Sequence, residues 1–134
     1  MRITLLDTQD SSSKYSGVQV EDAASLRAVL EDLQHREPFI LELEGENGIR
    51  LIAGIGGPVG CIQFSTADGE PPYLVALSKA GEPSDRKDGA EFLCAGTLTP
   101  VPESRCVPFS VLKSVVSHFA ETGERSSEVD WEEV

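Results

Sequence analysis

Apolar positions along the chain follow two periods. Between Asp22 and Pro38, Leu26, Val29, Leu30 and Leu33 recur at the i, i+3, i+4, i+7 spacing that lines one side of a helix. Asp22 can cap its start and Pro38 ends it. The same period returns from Pro108 to about Thr122, where Phe109, Leu112, Val115, Val116 and Phe119 form a second stripe. Pro108 suits the first turn of that helix, and Gly123 suits the left-handed residue just past its end.

Between the two helices the period is two. Phe39, Leu41 and Leu43 alternate with Ile40, Glu42 and Glu44, which predicts a strand with one wetter face. Glu46-Asn47-Gly48 turns the chain, because Asn-Gly readily takes positive φ, and Ile49 to Ile55 returns. Gly54, Gly56, Gly57 and Gly60 bend the sheet around Pro58 before Val59 to Phe64 runs as a further strand. Asp68-Gly69-Glu70-Pro71-Pro72 turns into a strand from Tyr73 to Leu77. Ala80 to Gly89 reads as a charged loop, Glu91 to Leu98 as one strand, and a short extended piece near Cys106 as another. Ahead of the first helix, residues 1–7 read as a short strand with Ile3 and Leu5 on one face. Gln9 to Gly17 reads as a polar, serine-rich loop. The order predicts an α+β fold: one domain over 1–134, an antiparallel sheet of about five or six strands, and both helices on one face of it.

Charge changes this picture more than composition does. At 134 residues a core forms without metal or disulfide staples, but the formal net charge is −12. Such a chain repels nucleic acid and anionic membrane and attracts basic partners. Residues 121–134 form an acidic tail in which Glu121, Glu124, Glu128, Asp130, Glu132 and Glu133 face a single base, Arg125. The eleven bases are scattered and make no basic stripe, so a nucleic-acid partner is not expected. No apolar run has the ~20 residues a membrane span requires. Three cysteines, Cys61, Cys94 and Cys106, stand far apart with no Cys-x-x-Cys pair, which fits a cytoplasmic protein without a zinc site.

Catalytic chemistry finds little support. The cluster Gly54, Gly56, Gly57 and Gly60 resembles a phosphate cradle, but a strand follows it where a dinucleotide site needs a helix, so no cofactor is expected. The only histidines are His35 and His118. Cys94 or Cys106 with His118 is the one nucleophile–base pairing on offer, and it would make a small hydrolase. Carboxylates are plentiful, but none is paired in an apolar setting that would split two pKa values. Trp131, the sole tryptophan, has two readings. With Val129 it can form a terminal strand whose ring covers a gap in the core, or it can anchor an interface within a ring of charge.

From about Ile49 to Glu133 the chain resembles the Imm1 family of bacterial immunity proteins. The resemblance rests on an ordered set. Ile55-Gly56-Gly57-Pro58-Val59-Gly60 precedes a strand ending at Phe64, and Phe92, Gly96, Thr99 and Pro102 come later. Val107-Pro108 then opens a helix closing on His118-Phe119-Ala120-Glu121-Thr122-Gly123, and Val129-Asp130-Trp131 ends the set. Pro100 and Val101 depart from it, since many members carry an acidic residue and an aromatic there, and no role is borrowed for that loop. The resemblance implies an α+β protein that is not an enzyme. It would bind a cognate toxin domain one to one and block its cleft, the toxin often being a deaminase that acts on nucleic acid. A toxin of that kind needs a basic cleft, which a protein of net charge −12 suits. Accessibility and charge nominate Asp68, Glu70, Glu128, Asp130, Trp131, Glu132 and Glu133 as the toxin-binding residues, with the loop from Glu82 to Glu91 as the other candidate. The competing functions are the cysteine hydrolase above and an adaptor that binds a basic cargo without inhibiting it.

Overall fold

Both helices form where their stripes and caps predict. In a computed structural model, which describes residues 1–7, 14–77 and 90–134, α1 spans Ala23–Leu33 and α2 spans Phe109–Thr122. Asp22 is extended and its carboxylate accepts the Ser25 N–H at 2.7 Å, which satisfies one of the orphan donors of the first turn. Gly123 ends α2 at φ 75°, and its N–H donates to the Phe119 carbonyl at 2.7 Å. Most of the serine-rich loop and the loop from Ala80 to Gly89 lie outside the described residues.

The strands are β1 (Ile3–Asp7), β2 (Gln19–Val20), β3 (Phe39–Gly45), β4 (Ile49–Ile55), β5 (Val59–Thr66) and β6 (Leu74–Leu77) in the first part of the chain. They are followed by β7 (Ala90–Cys94), β8 (Thr97–Val101), β9 (Val107–Pro108) and β10 (Asp130–Glu133). The main order is β10-β6-β5-β4-β3-β1-β2, with β7 beside β3, β8 beside β7, and β9 beside β5. Pairing is antiparallel except at Phe39 and Leu93, where β7 meets the start of β3 in parallel. That contact lies in line with β1, which covers the rest of the same β3 edge from Leu41 to Gly45.

The sheet therefore has ten strands among the described residues, not five or six. Glu91 to Leu98 is not one strand. Ala95 and Gly96 take φ 49° and 85°, a two-residue left-handed turn that folds the segment into the β7–β8 hairpin. β2 is only two residues long, too short for any hydrophobic period to mark, and β9, equally short, is the extended piece expected near Cys106.

Strand alternation sorts the side chains onto two faces. On the first, Ile3, Leu5, Phe39, Leu41, Leu43, Leu51, Ala53 and Ile55 are buried beneath both helix stripes in one cluster. Gly60 lets α2 approach: a Cβ there would stand 2.3 Å from Leu112 Cδ1 and 2.6 Å from the Gly54 carbonyl. Phe119 meets Phe64 edge-on, with ring centroids 5.8 Å apart. Lys113 of α2 reaches Glu31 of α1 at 3.0 Å.

Candidate functional site

Among the described residues the opposite face carries no α-helix. Its central row, fixed by register, runs Leu6, Glu42, Ile52, Gln63, Val75, Glu132 across six strands, β1, β3, β4, β5, β6 and β10. The neighbouring row holds Ile40, Gly54 and Cys61. An antiparallel sheet that meets water is usually polar on the wet side. Here Ile40, Ile52, Cys61 and Val75 interrupt that rule, and an arm made of the β7–β8 hairpin and the turn Glu103–Arg105 folds over part of them.

Gly54 makes the arm fit. A Cβ at Gly54 would stand 2.5 Å from Cys61 Sγ and 2.8 Å from the Phe92 ring. Phe92 is fully buried there with Ala90 and Cys106, against Ile40, Val59, Cys61 and Val101. Burial, with Cys106 nearby, pushes the Cys61 thiol up to about 12, so it stays protonated and unreactive at neutral pH. Beyond this small cluster the arm stands off the sheet and leaves an open, mainly apolar cleft of about 310 Å³. Ile40, Ile52, Gln63 and Val75 form its floor, and Cys94, Thr99, Pro100 and Val101 form its wall. Arg105 closes one end and reaches Glu132 at 3.3 Å. On the same face Arg50 stands 3.6 Å from Glu42 and donates to the Ala67 carbonyl at 2.9 Å.

The carboxylates nominated from sequence do not share one surface. Along β10, Asp130 and Glu132 point to the helix-free face, and Trp131 and Glu133 to the other. Trp131 forms the terminal strand with β6, as the first of its two readings has it. Its ring is half-buried 6.0 Å from Phe64, and its Nε1–H donates to the Ser126 carbonyl at 2.9 Å. Glu128 precedes the strand and is exposed. Asp68 and Glu70 sit in the β5–β6 turn, where the Thr66 hydroxyl and the Glu70 N–H both donate to the Asp68 carboxylate. The hydroxyl first, and then the N–H, hold that carboxyl below its ordinary value. The end of β10 lies at the same end of the sheet as this turn, since Val134 N–H donates to the Tyr73 carbonyl.

The cysteine–histidine pairing is not assembled. Cys94 and Cys106 belong to the arm on the helix-free face. His118 lies on α2, beside Arg27, Ser114 and Glu121, and the sheet stands between. Among the described residues no group of three or more His, Cys, Asp or Glu is placed to hold a metal ion. Among the same residues no helix is long and apolar enough to cross a membrane. Sequence reasoning passes over the cleft itself. Its one local signal is that the alternation of β4 to β6 places Ile52 and Val75 where polar residues belong.

No curated protein matches the chain. The family model of Immunity protein Imm1 matches residues 14–133. That span is nearly the whole chain, and the protein belongs to the Imm1 immunity protein family.

Proposed function

We propose that this immunity protein binds a cognate toxin domain one to one in the cytoplasm of the cell that makes both, and holds the toxin inactive by covering its substrate cleft. The toxin is a nucleic-acid deaminase. The observation that carries the reading is the family match over residues 14–133. The net charge of −12 supports the choice of a nucleic-acid-acting partner, whose cleft must be basic to hold phosphates. Occlusion requires shape and charge complementarity, not a catalytic group, and complementary charge speeds capture before the toxin meets its substrate.

The test is to sequence the adjacent reading frames and co-express this chain in a bacterial host with the C-terminal domain of the large secreted protein expected immediately upstream. Growth should be rescued, and cytosine deamination by the purified domain should stop at one equivalent of this protein. Binding that leaves the deaminase fully active would replace inhibition by the adaptor reading. Rescue from a toxin of other chemistry would keep the immunity role and reject the deaminase.

A further inference from the structure

We infer that the cleft between the helix-free sheet face and the β7–β8 arm is where the toxin docks, and that it takes an apolar side chain which the toxin carries within a basic surface. This rests on the function proposed above and names its contact surface. Three observations converge on it. The floor is apolar where a wet sheet face should be polar, since Ile40 and Ile52 are half-buried there, Val75 lies buried beside them, and neither α1 nor α2 covers them. The opening, about 310 Å³, is at the low end of what small-molecule sites enclose, and it suits a protruding side chain better than a cofactor.

The third observation is charge. Among the described residues, Glu42, Glu44, Asp130 and Glu132 lie on this face, and the guanidiniums ion-paired to them are those of Arg50 and Arg105. Both arginines are already engaged, Arg50 with Glu42 and Arg105 with Glu132, while Glu44 and Asp130 are exposed. An apolar socket inside an acidic rim is the complement of an apolar anchor inside a basic patch. In such interfaces the buried anchor dominates affinity and the charged rim sets encounter and register. The acidic tail cannot act here as one patch, because the alternation of β10 turns Glu133 to the other face.

Two measurements test the assignment with the same adjacent-gene toxin domain. The first is hydrogen–deuterium exchange on the wild-type complex, which needs no variant to fold. Amides of residues 97–105 and of β5 should slow on binding. The second is Thr99→Trp, which fills the cleft from an exposed position on the arm. It should weaken binding by ~30-fold or more while its melting curve stays that of the wild type. The control Glu121→Lys, exposed on α2, should change binding by less than about threefold. If the complex forms but slowed exchange is confined to the helices or to residues 121–129, the cleft assignment is wrong and the immunity role stands. Wild-type affinity in a folded Thr99→Trp protein would overturn the cleft assignment equally. If the wild-type protein neither binds nor protects, the cleft assignment and the proposed function are both overturned.

Discussion

One face of the sheet is sealed by two helices, and the other is crossed by a short arm that leaves part of it open. On the sealed face, stripes of five apolar residues on α1 and seven buried positions on α2 close over β1 to β6. On the open face, among the described residues, Phe92 and its few neighbours are packed and Val75 is buried, while Ile40 and Ile52 stay half-buried. The first arrangement contributes the bulk of the burial and hence of the stability. The second leaves apolar surface that the fold itself does not use. On the reading proposed above, that surface is what the toxin covers.

The sharpest way to break the contrast is to truncate each side in turn. Phe119→Ala and Leu112→Ala should each cost ~2–5 kcal/mol in urea unfolding, because both are buried between helix and sheet. Phe92→Ala should cost less. Its main effect should be faster amide exchange confined to residues 90–108. Equal losses at Phe92 and Phe119 would show that the arm is as integral as the helices.

The glycines sharpen the comparison. Gly60→Ala drives a Cβ into Leu112 and the Gly54 carbonyl and should cost ~1–3 kcal/mol of global stability. Gly54→Ala drives a Cβ into Cys61 and the Phe92 ring, so it should lift the arm and weaken toxin binding more than it lowers the melting temperature. A variant with the opposite ranking would exchange the roles assigned to the two faces.

Ionic strength has a smaller, kinetic effect. The association rate with the toxin should fall ~10-fold between low and physiological salt, with the dissociation rate nearly constant. Stopped-flow rates that ignore salt would remove charge from the account of the open face. Reversing Glu128, Asp130, Glu132 and Glu133 together to lysine then asks how much of that steering the tail supplies.

The smallest effect expected is in acid. Asp22 is held below its ordinary 3.8, first by the Ser25 N–H and then by the Ser25 hydroxyl. A carboxyl lowered in the folded state stabilises it above the unfolded value, and that contribution fades as pH falls through the folded one. Stability should therefore decline slightly as pH falls below about 4, and Asp22→Asn, which still caps α1, should make that decline shallower, with Asp68 supplying the rest.

Local signals are legible in the sequence and distant ones are not. The α1 stripe, the Asp22 cap, Gly123 and the alternation of β3 to β6 depend on neighbours within a turn or a strand, and the structure reproduces them. The hairpin at Ala95-Gly96 escapes a sequence reading because alanine seldom takes positive φ and apolar residues run through the turn. The meeting of β7 with β3 joins residues more than fifty positions apart and has no local mark. The cleft combines β3 to β6 with an arm from much later in the chain, so its existence depends on register and on where the arm lands. Residue types suggest the tail as the contact surface. Alternation along β10 divides that tail between two faces, which composition alone does not express.

Pro100 bears on how the free protein behaves at high concentration. Counting out from the two-residue turn, the hydrogen-bonded pairs of the hairpin fall at Cys94 with Thr97, Phe92 with Thr99, and Ala90 with Val101. Pro100, opposite Glu91, therefore stands where an ordinary residue would aim its N–H outward, toward any strand that came alongside. β8 is exposed along nearly its whole length, and an exposed edge of this kind is a template for edge-to-edge pairing and fibrous aggregation. The proline deletes a donor from that template without disturbing the hairpin. In concentrated solution the free protein should therefore be less prone to zip onto a second copy through β8 than a proline-free edge would be.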